Sequence, residues 1–116
     1  MTKPDASADD HAVARFDDLV ALFLDREGVV PPGATAGFGS SALRVNGRIF
    51  AMLVRGRLVV KLPSARVTSL VESGAGIRFD ANKGTPMKEW FSLDPVSNLE
   101  WERLADEADA FVSAAG

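Results

Sequence analysis

The 116-residue chain has no cysteine, no tyrosine and a single histidine. Without thiols it can form neither a disulfide nor a thiolate metal site, and nothing calls for an oxidising compartment, so a cytoplasmic location is expected. His11 stands alone near three aspartates, which leaves a two-histidine metal site out of reach and makes a Ser-His or Cys-His nucleophile pair hard to build. It reads as a surface residue. Long apolar runs are missing as well: no stretch approaches the roughly 18 residues of a membrane span. The first ten residues, with Asp5, Asp9 and Asp10, have no signal-peptide core. No membrane partner is expected.

Phosphate-binding signatures are also absent. The stretch Gly33 to Gly39 is rich in glycine, but no G-K-[ST] follows it and no G-x-G-x-x-G occurs, so it reads as a flexible connection. Ser40 and Ser41 beside it read as turn residues. The acids Glu100, Glu102, Asp106, Glu107 and Asp109 are spaced as solvated charge on a helix face, with no sign of the cleft that would separate the pKa values of an acid–base pair. No catalytic, cofactor-binding or metal-binding residue is assigned, no cofactor is called for, and an enzyme is not expected.

What the sequence does contain is an ordinary globular composition, 47% hydrophobic and 25% charged, at the size of one domain. Residues 1–8 read as a mobile tail and 9–116 as a single domain. From Asp9 to Arg26, Ala12, Val13, Phe16, Leu19, Val20 and Phe23 recur at helical spacing, and Glu27-Gly28 ends the run. Ala42 to Leu62 reads as three strands joined at Asn46-Gly47 and Arg55-Gly56, where glycine supplies positive φ. Pro63 to Ser73 reads as a short helix capped by Ser64. Ile77 to Phe79 and Lys88 to Leu93 read as strands flanking a polar loop over Asp80 to Pro86. Ser97 and Glu100 have the spacing of a capping box before a final helix, whose stripe is Trp101, Leu104, Ala105, Ala108, Phe111 and Val112. The sum is a two-layer α+β domain, order α-β-β-β-α-β-β-α, with an antiparallel sheet and helices on one face.

Charge divides the chain more sharply than its net value of −3 suggests. Between Gly28 and Val71 there is no Asp or Glu, while Arg44, Arg48, Arg55, Arg57, Lys61 and Arg66 supply six cations. Register decides where they point. A plain two-residue loop at Asn46-Gly47 would put Leu43 on the face of Phe50, Arg57 and Lys61, mixing core with charge. A three-residue loop with a glycine bulge aligns Leu43, Ile49, Ala51, Leu53, Leu58, Val60 and Leu62 instead. The opposite face then gathers Arg44, Phe50, Met52, Arg57, Val59 and Lys61, a cationic surface with apolar patches able to hold phosphates and stack on bases. Arg44, Arg48, Arg55, Arg57 and Lys61 are the expected partner contacts, with Phe50 as the apolar one; Trp90 and Trp101 are expected in the core. The expected function is a non-enzymatic binding module for nucleic acid or a regulatory protein. The alternative is a structural or protein-interaction domain that forms a homodimer or docks a partner on the same face.

The runs Gly37-Phe38-Gly39, Val45-Asn46-Gly47-Arg48-Ile49-Phe50-Ala51 and Gly56-Arg57-Leu58-Val59-Val60-Lys61-Leu62 resemble the N-terminal domain of TfoX/Sxy competence regulators. Met87-Lys88-Glu89-Trp90 resembles a later strand of that domain and of the related MmcQ/YjbR group. The resemblance covers about residues 10 to 113. It implies a secretion-chaperone-like α+β fold and a regulatory or DNA-binding role, and it brings no catalytic residues with it. Full TfoX-type regulators carry a second domain; as this sequence stops at Gly116, a competence role is not expected.

Overall fold

The computed structural model describes residues 4–30, 42–79, 87–95, 97 and 99–115. Three helices, α1 (Pro4–Phe23), α2 (Ser64–Glu72) and α3 (Trp101–Ala115), pack on one side of an antiparallel sheet. Its strands are β1 (Val29–Val30), β2 (Ala42–Val45), β3 (Arg48–Val54), β4 (Arg57–Lys61), β5 (Gly76–Arg78) and β6 (Trp90–Leu93), in spatial order β1-β2-β3-β4-β6-β5. This is the expected α+β order, with the two-residue β1 added at one edge. The glycine-containing stretch 33–39, Ser40, Ser41 and the polar loop 80–86 lie outside the described residues. Among the described residues no helix is long and apolar enough to cross a membrane.

Helix α1 begins at Pro4, so it takes in part of the segment expected as a tail. Its buried stripe is Ala12, Phe16, Leu19 and Phe23; Val13, expected on that stripe, is 50% exposed. A stripe at i, i+4, i+7 and i+11 is complete without it. In α3 the anticipated stripe packs into the core, with Phe111 at its margin. Two caps differ from expectation. Pro63 holds the N-cap of α2 and offers no side-chain acceptor, leaving Ser64 as the first helical residue. At α3 the Glu100 carbonyl accepts from Leu104 N, which makes Glu100 the cap itself, and the Ser97 hydroxyl accepts from Leu99 N.

Both hairpin turns of the meander are two-residue turns with positive φ at each position: Asn46 (53°) and Gly47 (82°), then Arg55 (53°) and Gly56 (77°). This backbone matches the right-handed twist of the flanking strands. The register around Asn46-Gly47 therefore differs from the expected three-residue loop. Val45 pairs with Arg48 and Arg44 with Ile49, but Leu43 pairs with Ala51, so the extra residue sits within β3 at Phe50. A bulge at that point turns Phe50 and Ala51 to the same side. Leu43, Ala51, Leu53, Leu58, Val60 and Leu62 stay on the helix side as anticipated, while Ile49 and Phe50 exchange faces.

The consequence for Phe50 is complete burial under the helices, in the same core cluster as Phe23, Leu43 and Leu58. The expectation that it serves as an exposed partner contact is thereby overturned. Burying a phenyl ring contributes about 1.5–3 kcal/mol, which an exposed position would forgo.

Ion pairs stitch the helical layer together. Arg66 of α2 holds Glu107 of α3 through two parallel bonds of 2.9 and 3.1 Å. Arg26, just past α1, reaches Asp106 at 2.6 Å and Asp109 at 3.1 Å on α3. The Asp106 hydrogen bond raises the pKa of Arg26, against an opposing effect of burial. Its guanidinium also lies 4.1 Å from the Phe23 ring centroid.

Candidate nucleic-acid interface

Alternation along the strands sends every second side chain to the face that carries none of the described helices, the helix-free face. The paired positions Ala42, Met52, Val59, Ser92 and Ile77 cross that face from β2 to β5. Ala42, Met52 and Val59 form a second apolar cluster, flanked by Ile49, Val54, Phe79 and Trp90. Arg44, Arg57 and Lys61 rise on the same face, as anticipated. At one end stand Arg44, Ile49, Lys61, Trp90 and Phe79; at the other, Val54 and Arg57, with Arg55 in the turn between them. Arg48 is different: it pairs with Val45, a core residue, and is exposed at the helix-side rim.

The five sequence-predicted cations thus separate into four that belong to the helix-free face or its turn and one that does not. Arg57 donates from Nε to the Leu93 carbonyl at 3.1 Å, which fixes the plane of its guanidinium. Lys61 Nζ lies 5.8 Å from the Trp90 ring centroid. Arg44 is half-buried, and its Nη1 is buried without a hydrogen-bond acceptor among the described residues. Leaving a buried donor unpaired costs about 1–3 kcal/mol, and more for a charged group. Arg55 has a left-handed backbone that Gly, Asn and Asp adopt far more readily, a local strain that carries its side chain to the tip of the turn.

The charge of the two layers is opposite. The six strands contain Arg44, Arg48, Arg57, Lys61 and Arg78 and no carboxylate, whereas α1 and α3 hold nine carboxylates and two arginines. Glu89 and Asp94 bracket β6 from outside the strand. The acids of α3 engage Arg26 and Arg66, on the helical side. No ion pair among the described residues engages Arg44, Arg48 or Arg55.

Two clefts mark the ends of the face. One, of about 190 Å³, is lined by Val54, Arg55, Arg57, Ile77, Phe79 and Ser92, with Arg78 beside them; the Arg78 guanidinium itself donates to Thr68 Oγ1 of α2. The other, of about 500 Å³, is lined by Lys61, Ser64, Met87, Lys88, Glu89 and Trp90. Trp101 is buried against α1, with Arg15 4.5 Å from its ring centroid, as a core residue should be. Trp90 is half-buried on the helix-free face, and assigning it to the main core missed this. Alternation in Trp90-Phe91-Ser92-Leu93 separates Trp90 and Ser92 from Phe91 and Leu93. That β6 lies next to β4, bringing Trp90 to Lys61, is a long-range pairing that no local pattern encodes.

His11 is exposed on α1, and among the described residues no three His, Asp or Glu side chains converge as metal ligands would. No known protein-family model matches the chain, and no curated protein or solved structure matches it either.

Proposed function

We propose that this chain is a non-enzymatic, regulatory binding module that holds nucleic acid through the helix-free face of its sheet. One observation carries the proposal: the helix-free face bears Arg44, Arg57 and Lys61, with Arg55 in its turn, on strands that have no carboxylate, while α1 and α3 bear nine carboxylates. A polyanion is attracted to the first layer and repelled by the second. Arg44, Arg55, Arg57 and Lys61 are the phosphate contacts; Ala42, Met52, Val59 and Ser92 between them are buried, so sugars and bases meet the half-buried Trp90, Ile49 and Val54 and the exposed Ile77. Kinship with the TfoX/Sxy N-terminal and MmcQ/YjbR groups is part of the same proposal and rests on the quoted residue runs alone.

Four phosphate contacts give a log–log salt slope of about −3.6 on duplex DNA and about −2.8 on a single strand. Fluorescence anisotropy of labelled oligonucleotides over a series of salt concentrations measures it. Absence of binding to either form at the lowest salt overturns the proposal.

Ile77 favours a second reading. It is 56% exposed at the sheet edge, continuing the apolar row outward, and such a surface also suits self-association or docking of a protein partner. Light scattering across a concentration series separates the two: a stable dimer that Ile77→Asp dissociates, in protein that binds no nucleic acid, supports the second. Phe50→Asp is unsuitable here, because Phe50 is a core residue.

A further inference from the structure

Resting on the nucleic-acid reading above, we infer that the preferred occupant of the helix-free face is a single strand, with the Trp90 ring as its stacking platform. Bases inside a duplex are already stacked, and their edges are reached by a helix or ribbon that enters a groove. A half-buried aromatic ring at the margin of the face, with lysines beside it, offers what an unpaired base needs: a flat apolar surface next to a positive charge for its phosphate.

That combination occurs in the cleft around Trp90. Lys61, its cross-strand partner, holds Nζ 5.8 Å from the ring centroid, and Lys88 is exposed two residues before it. Met87 supplies apolar lining, and the space, about 500 Å³, lies within the range of pockets that take small organic groups. Among the described residues Glu89 is the single carboxylate lining this cleft, and no acid occupies the first turn of α2, whose first residue Ser64 completes the wall. A phosphate is therefore drawn to the Lys61–Lys88 side.

The face continues from there in both directions. Toward β2 stands the half-buried Arg44. Toward the opposite end lies the smaller cleft with Arg55 and Arg57; Phe79, which stands beside Trp90 in the ladder, lines its near side. Arg57 and Lys61 are about 13 Å apart along β4, so a chain longer than one nucleotide is needed to meet both.

Intrinsic fluorescence tests this directly, because the other indole, Trp101, is buried in the core. The full chain is titrated at low salt with oligothymidylate about twelve nucleotides long and with a duplex of the same length. The expected result is quenching by the single strand, with affinity at least about tenfold above the duplex. Trp90→Ala is expected to lose about tenfold in single-strand affinity, read by anisotropy of labelled oligonucleotide, and Trp90→Phe to retain most of it. Circular dichroism establishes that each variant is folded. Should Trp90→Ala unfold, the exposed Lys88→Glu carries the test and is expected to weaken single-strand binding several-fold. Equal or tighter binding of duplex, or single-strand affinity indifferent to Trp90→Ala and Lys88→Glu, overturns the inference and leaves the nucleic-acid reading standing. Absence of binding to both forms removes that reading and the inference with it.

Discussion

Phe23 at the end of α1 and Phe50 at the bulge of β3 face each other across the core, ring centroids 5.8 Å apart and planes tilted by 42°. This contact exists because an extra residue in β3 turns Phe50 away from the cationic face. It joins the first helix to the sheet at the strand whose irregularity decides which side chains remain outside.

Phe50→Ala is expected to destabilise the fold by about 3–5 kcal/mol, the range for removing a fully buried phenyl ring. Urea unfolding measures it. A loss below about 1 kcal/mol would place the ring outside the core.

Gly76 lies where β5 meets β6, and a Cβ built there would collide with the Ser92 carbonyl oxygen and approach the Phe91 ring. The carbonyl cannot yield without disturbing the ladder, so Gly76→Ala is expected to destabilise by about 1–3 kcal/mol. Faster amide exchange at Ile77 and Arg78, relative to β3 and β4, would localise the effect.

Arg55 and Arg44 break local rules that ordinary residues would satisfy, one by its left-handed backbone and the other by a buried unpaired donor. Arg55→Asn is expected to raise stability by about 0.5–1 kcal/mol while weakening nucleic-acid binding. Arg44→Met is expected to move both quantities in the same directions. Thermal unfolding and anisotropy on the same samples provide the comparison; a stability gain with unchanged affinity removes that residue from the interface.

Arg48 and Lys61 lie on different sides of the sheet, and alanine at either changes net charge equally. Lys61→Ala is expected to reduce the duplex salt slope by about 0.9, as for one lost phosphate contact, and Arg48→Ala to leave it nearly unchanged. Equal effects from the two would mean that net charge, rather than the face, governs binding.

The order of elements was legible because each helix and strand advertises itself locally. Trp101, Leu104, Ala105, Ala108 and Val112 repeat at helical spacing, and Asn46-Gly47 and Arg55-Gly56 punctuate the meander. The mixing of Leu43 with Arg57 and Lys61 in an uninterrupted two-residue register was a real signal that one residue had to be absorbed somewhere. Its position was not legible: a bulge in the turn and a bulge at Phe50 give the same parity for Ala51 and every later residue, and differ only at Ile49 and Phe50. Arg44, Arg57 and Lys61 were therefore placed correctly, and the aromatic residue beside them was not. Trp90 takes that part through the β4–β6 pairing, which depends on the path of the chain after α2.

Opposite charges on the two layers give the molecule an electric dipole directed across the sheet rather than along it. Near a polyanion this exerts a torque, so the protein is turned before first contact and approaches with its strands leading. Encounters that begin with α1 or α3 forward are slowed, and a bound copy displays an acidic outer shell that discourages a second copy from settling on top of it. Coverage of a long polyanion would then stop at a single layer.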